Sequence, residues 1–136
     1  MSEQVTTQDG NVQTGIEFAG LTVALGTGAA DIVSGTQVYA RVPYDCQIVG
    51  VEMLANAAGA IVVDIWKDTY GNAPPDNADS ITASAPPTIT ATNIKSQDLT
   101  LTGWTTAVAA GDWLVFNVDS CTGIARVAVA LILQRT

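Results

Sequence analysis

"DWLVFNVDS", residues 112 to 120, alternates with a period of two: Leu114, Phe116 and Val118 point one way, and Trp113, Val115, Asn117 and Asp119 point the other. Such alternation marks a half-buried strand, and Gly111-Asp112 ahead of it supplies a turn. The next run, "GIARVAVALILQR" (123 to 135), continues the pattern. Ala125, Val127, Val129, Leu131 and Leu133 share one face, while Arg126 and Gln134 lie on the opposite face with small alanines between them. This predicts a long strand, packed on one side and closely approached on the other.

Working outward, "CQIVGVEMLA" (46 to 55) and "AIVVDIW" (60 to 66) are two more β-rich runs, with "NAAG" (56 to 59) between them as a short hairpin loop. In the second run Ile61, Val63 and Ile65 form the core face, and Val62, Asp64 and Trp66 the other. "TQVYARVP" (36 to 43) predicts a strand ended by Pro43. "IEFAGLTVAL" (16 to 25) predicts another, broken by Gly20, and "QDLTLTGW" (97 to 104) a short one with Leu99 and Leu101 inward. No segment holds a helical period over ten or more residues, and "AADIV" (29 to 33) makes one turn at most. Short strands with closely spaced turn signals imply an all-β fold: an antiparallel β-sandwich, jelly-roll-like, with an extended N-terminal arm.

At 136 residues the chain makes one domain, large enough to bury a core without staples. We divide it into an arm, residues 1–15, and a sandwich domain, residues 16–136. The arm is polar, and after Met1 only Val5 and Val12 are apolar, so it is ordered only where something grips it.

Charged residues make up 13% of the chain, about half the usual share, while 48% are hydrophobic. Part of the surface is therefore expected to be covered by other subunits. The net charge is −8, and the five cations do not cluster, which argues against nucleic-acid binding. The N-terminus has neither a basic nor an apolar signal region, and the longest clean apolar run, "VAVALIL" (127 to 133), is far short of a membrane span. The expectation is a protein made in a cytosol, with no membrane partner. Cys46 and Cys121 are then expected as free thiols, although spacing alone leaves a pairing open.

The segment "DIWKDTYGNAPPDNADSI" (64 to 81) is the candidate for chemistry. Asp68, Asp76 and Asp79 offer oxygens to a hard cation, but their spacing misses the calcium-loop pattern. Gly71, Asn72, Pro74, Pro75, Asp76 and Asn77 are turn formers, and four of the chain's five prolines fall between 74 and 87. The segment is expected as a stiff surface connection held by Asx turns, with no metal. Asp64, in an apolar strand, is expected to pair with a lysine or arginine from a neighbouring strand. Histidine is absent, and no nucleophile-elbow or phosphate-loop pattern occurs. No catalytic residue, no cofactor and no enzymatic activity are expected. Trp66, Tyr70, Trp104 and Trp113 are candidates for stacking on a sugar, for core packing or for subunit contact.

The order "VDIWKD", "PPDNADSI", "KSQDLTLTGWTTAVAAGDWLVFNVDS" and a last strand ending "LILQR" resembles a β-sandwich module of tailed-bacteriophage virion proteins, found in capsid decoration, fibre, spike and baseplate proteins. The resemblance spans residues 46 to 136. It implies a trimerising structural protein without catalysis. The short polar arm favours a homotrimeric capsid decoration protein on the outer surface of the particle, gripping the major capsid protein through Val5 and Val12 of the arm and burying Arg126 and the aromatics between copies. The alternative is a receptor module of a tail fibre or baseplate, partnered by other tail proteins or by a host surface glycan.

Overall fold

The structure, a computed structural model, describes residues 16–136 and, ahead of them, two short strands, β1 (Gln4–Thr6) and β2 (Val12–Thr14), which pair antiparallel. The extended arm expected over residues 1–15 otherwise lies outside the described residues. Seven further strands follow: β3 (Phe18–Leu25), β4 (Gln37–Arg41), β5 (Cys46–Asp68), β6 (Thr88–Asp98), β7 (Ala107–Val108), β8 (Trp113–Thr122) and β9 (Val127–Arg135). All their pairings are antiparallel, in the order β3-β9-β5-β8-β4, with β6 and β7 also on β5. The all-β expectation is met.

β5 organises the fold. Its first half, 46 to 55, pairs with β9, and its second half, 60 to 68, pairs with β8. β6 follows it on the other side through both halves. The sheet thus curls into two layers, β3-β9-β5 and β5-β8-β4, which face each other across one core. The hairpin expected at 56 to 59 does not form, and the chain stays extended there. Two contacts explain this. The Asn56 side-chain oxygen accepts from the backbone N–H groups of Ala125 (3.1 Å) and Arg126 (3.0 Å), tying the bend to the approach into β9. Gly59 runs so close to the end of β8 that a Cβ there would meet the Thr122 carbonyl oxygen, with the Ile124 side chain 2.9 Å away. The glycine is there for close approach rather than for turning.

The core matches the alternation. Leu114, Phe116 and Val118 of β8, Ile61, Val63 and Ile65 of β5, and Val127, Val129, Leu131 and Leu133 of β9 are all buried in one cluster. A one-residue bulge between Ile48 and Gly50 switches β5 from even to odd inward positions, so Cys46 and Ile48 and then Val51, Met53 and Ala55 face inward. The other face of β8 is covered too: Val115 and Asn117 are buried, against the expectation of a solvent face.

Three further boundaries differ from the sequence reading. β3 runs unbroken through Gly20, which pairs with Ile132. β9 begins at Val127, so Arg126 precedes the strand instead of projecting from it. Residues 99 to 104 form a turn, with Leu99 exposed and Leu101 buried at a positive φ of 54°. The Asp98 carboxylate causes this by accepting from the backbone N–H groups of Thr100 (2.9 Å) and Leu101 (3.0 Å), an alternative to ladder pairing.

The close approach at the bend gives a direct test. Gly59→Ala is expected to destabilise by about 1–3 kcal/mol in a denaturant melt, because β8 must shift to admit a methyl group. Gly71→Ala, where the nearest atom outside its neighbours is 4.0 Å from the added carbon, is expected to stay within about 0.5 kcal/mol of the parent. Equal losses at the two sites would contradict this account of the bend.

Candidate functional site

Asp64 sits on the outer face of the second layer, directly opposite Asn117 of β8. Its carboxylate is buried, and among the described residues no cation reaches it, which corrects the expected ion pair. Instead it accepts from the Thr82 hydroxyl at 2.6 Å, the Ser80 hydroxyl at 2.8 Å, its neighbour's backbone N–H at 2.8 Å and the Trp66 indole N–H at 3.1 Å. A carboxylate with this many donors is satisfied without a counter-charge. The loop after β5 delivers the hydroxyls. It returns alongside the strand, with Ser80 bridging Trp66, Ile81 N–H donating to Ile65 C=O and Val63 N–H donating to Pro87 C=O. Lys67, on the same strand, points elsewhere: its ammonium lies 2.7 Å from the Ala107 carbonyl and 3.7 Å from the Asp112 carboxylate.

The loop's other acids hold the loop together. Asp68 accepts from Thr69 N–H and the Asn72 amide, Asp76 from Ala78 N–H, and Asp79 from Asp76 N–H. The last two close a capping box around the single helical turn Asn77–Asp79. These are the Asx-type staples expected from the sequence. Among the described residues, no group of three or more acids and cysteines converges on a metal position. Both cysteines are free thiols. Cys46 is buried at the start of β5, and burial, with Asp45 and Asp112 adding to it, pushes its thiol pKa up. Burial likewise raises the pKa of Tyr44, whose ring lies under the Arg135 guanidinium at 4.3 Å.

The four aromatics proposed for sugar stacking do not form one platform. Trp66 is buried over Asp64. Trp104 packs against the core and donates its indole N–H to the Ala85 carbonyl at 2.8 Å. Tyr70 and Trp113 both line a shallow dish of about 690 Å³, with Arg41, Thr69, Gly71 and the turn from Ala109 to Asp112. Arg126 is exposed beside Gly28. The side chains of Val5 and Val12 lie outside the described residues.

The outer face of the first layer carries the alanine side of β9, which the sequence reading expected to be closely approached, together with partners that it did not single out. Register places Ala24, Ala128, Leu54 and Lys95 in one row, and Thr22, Ala130, Glu52 and Gln97 in the next. Gly20, Ile132 and Gly50 form a third, with the Leu99 side chain lying over Gly50. Phe18, Leu54 and Leu99 are 63%, 60% and 59% exposed. The only charges in these rows are Glu52, which accepts from the Gln97 amide at 2.6 Å, and Lys95. A shallow hollow of about 630 Å³ lies between β5, β6 and β9. The alanine alternation in β9 was the available signal. Its partners were hidden because the register with β3 and β6 is not written in any one segment.

No family model matches the chain, and no curated protein matches it. Among solved structures it is similar to a serine protease of Aeromonas sobria, with 9% identity and a TM-score of 0.36 over 95% of this chain and 36% of that one. It therefore spans about a third of the protease's length. It is also similar to a chain of the cyanophage Pam1 capsid asymmetric unit (16% identity, TM-score 0.33, 89% and 85% of the two chains). A third likeness is to the infectious bursal disease virus Gx strain structure (11% identity, TM-score 0.26, 99% and 46%). Likenesses of this size carry no argument about activity in either direction. The expectation of no enzymatic activity is corrected accordingly: with a serine protease among these structures, it does not stand as a conclusion.

Two outcomes follow from this site. Asp64→Ala leaves two hydroxyls and an indole N–H without their acceptor and is expected to cost about 3 kcal/mol or more by denaturant melt, with Thr82→Val costing about 1 kcal/mol. A loss below 1 kcal/mol for Asp64→Ala would show that water replaces the carboxylate. For pH, Cys46 and Tyr44 both have folded pKa values above their unfolded ones, so the unfolded chain releases those protons first. Stability is then fully present below the ordinary thiol range and is lost as pH rises through it toward the folded values. Thermal melts from pH 7 to 10.5 should fall above about pH 9, and Cys46→Ala should flatten the first part of that fall.

Proposed function

We propose that this chain is a structural protein of a tailed-bacteriophage particle, acting as a trimeric decoration protein on the outer head surface. The observation that carries this reading is the apolar outer face of the first layer, where Phe18, Leu54 and Leu99 stand exposed around alanines and glycines. An exposed apolar patch on a folded domain marks a contact with another macromolecule. The low share of charged residues, 13%, points the same way. The sequence resemblance to phage virion modules names the setting, and its motifs have a structural reason: "VDIWKD" and "PPDNADSI" meet in the Asp64 cluster.

In this reading three copies bury the patch against one another, and several weak contacts with the major capsid protein add up through avidity. The polar segment 1–15, with Val5 and Val12 as its apolar points, reaches a neighbouring capsid subunit and gains backbone hydrogen bonds at a sheet edge.

Sedimentation velocity tests the interface. The parent chain is expected to sediment as a trimer at micromolar concentration and to add to purified heads that lack tails. Leu54→Asp is expected to sediment as a monomer with an unchanged melting profile, and to bind heads at least tenfold more weakly. A parent that stays monomeric and a Leu54→Asp variant that binds heads as tightly as the parent would together refute the proposal.

A further inference from the structure

We infer that the dish containing Tyr70 and Trp113 binds an acidic saccharide, through a sugar residue that carries a carboxylate. The site is independent of the interface proposed above and lies on the other layer of the sandwich.

Three strand ends build the dish. Arg41 closes β4 and is the direct cross-strand partner of Trp113, which opens β8. On its other side Trp113 faces Asp68, the last residue of β5. The chain then turns at once through Tyr70–Asn72, which sets Tyr70 at the rim, 77% exposed. A tyrosine this exposed gains nothing from core packing. The dish, about 690 Å³, is within the usual range of small-ligand pockets.

The charges around it decide the class of ligand. Each acid at the dish already has partners. Asp112 accepts from Ala109 N–H at 3.0 Å and lies 3.7 Å from Lys67, and Asp68 accepts from Thr69 N–H at 2.8 Å and from the Asn72 amide. Among the described residues Arg41 has no such partner. Among the described residues the ion pairs are Lys67 with Asp112 and Arg135 with Glu17, and no side-chain hydrogen bond of Arg41 is formed. An exposed guanidinium that lines the same dish as Tyr70 and Trp113, on a molecule of net charge −8, offers one strong bidentate position for a carboxylate. The ring of Tyr70 offers a flat apolar face to the C–H side of a pyranose, and backbone carbonyls of 69 to 71 and 109 to 111, each with a second lone pair, can accept from its hydroxyls, while the N–H groups of Thr69, Ala109, Ala110 and Gly111 are already engaged. A neutral sugar would leave the guanidinium unanswered, and a bare anion would leave the aromatics unused.

The test uses the full chain and calorimetric titration with paired probes: sialyllactose against lactose, and trigalacturonate against a neutral galactose trisaccharide. At least one acidic probe is expected to bind at least tenfold more tightly than its neutral partner, and the difference should shrink as salt is raised. Arg41→Ala should abolish the preference for the acidic probe, and Tyr70→Ala should weaken binding of that probe at least tenfold, both with unchanged melting temperatures. Arg41→Lys should restore part of the preference, since it keeps the charge and loses the fork. The inference is overturned if no acidic probe binds, if each binds no better than its neutral partner, or if Arg41→Ala leaves the preference intact.

Discussion

The passage of β5 from one layer to the other is the constraint on which the rest of the fold depends. One strand of 23 residues serves both layers because it bends without turning back. The bend is held from outside, by the Asn56 side chain on the N–H groups of Ala125 and Arg126, and it is permitted from inside by the missing side chain at Gly59. Every other strand of the seven-stranded sheet takes its position from this one. β9 and β8 lie against its two halves, β6 tracks it on the far side, and β3 and β4 are carried on β9 and β8.

The second half of β5 also explains the most polar part of the chain. A buried carboxylate in an apolar strand is costly unless donors reach it. The loop that follows the strand returns two hydroxyls to Asp64, and the strand's own Trp66 adds an indole N–H. The loop is long because it must run out, turn under the control of Asp76 and Asp79, and come back beside Ile65. The same excursion carries Tyr70 to the rim of the dish at the end of β8. Structural and candidate binding roles are therefore linked by a single connection.

The two layers present different outer faces. On the second, a carboxylate, two hydroxyls and the Asn117 and Gln37 amides form a hydrogen-bonded cover across the strands. On the first, glycines and alanines leave large apolar side chains standing in solvent. That asymmetry suits a molecule with one face for assembly and the other for solvent or a small ligand.

Much of the fold is legible in local pattern. The alternation of Leu114, Phe116 and Val118, and of Val127, Val129 and Leu131, identified the core because a strand's period of two is a property of the chain itself. The Asx staples of the 68–79 loop were equally visible, since each spans four residues or fewer. Only tertiary structure decided the rest. "NAAG" has the composition of a hairpin loop, and its extended course depends on partners about 65 residues away. The hydroxyl partners of Asp64 lie 16 and 18 residues downstream. The pairing of Arg41 with Trp113, and the register that gathers Phe18, Leu54 and Leu99 on one face, are set across separate strands. The sequence alone thus determined which residues seek burial and where the chain turns through its own side chains. The folded sheet decided which strands meet and in what register, because those choices depend on contacts between residues far apart in the chain.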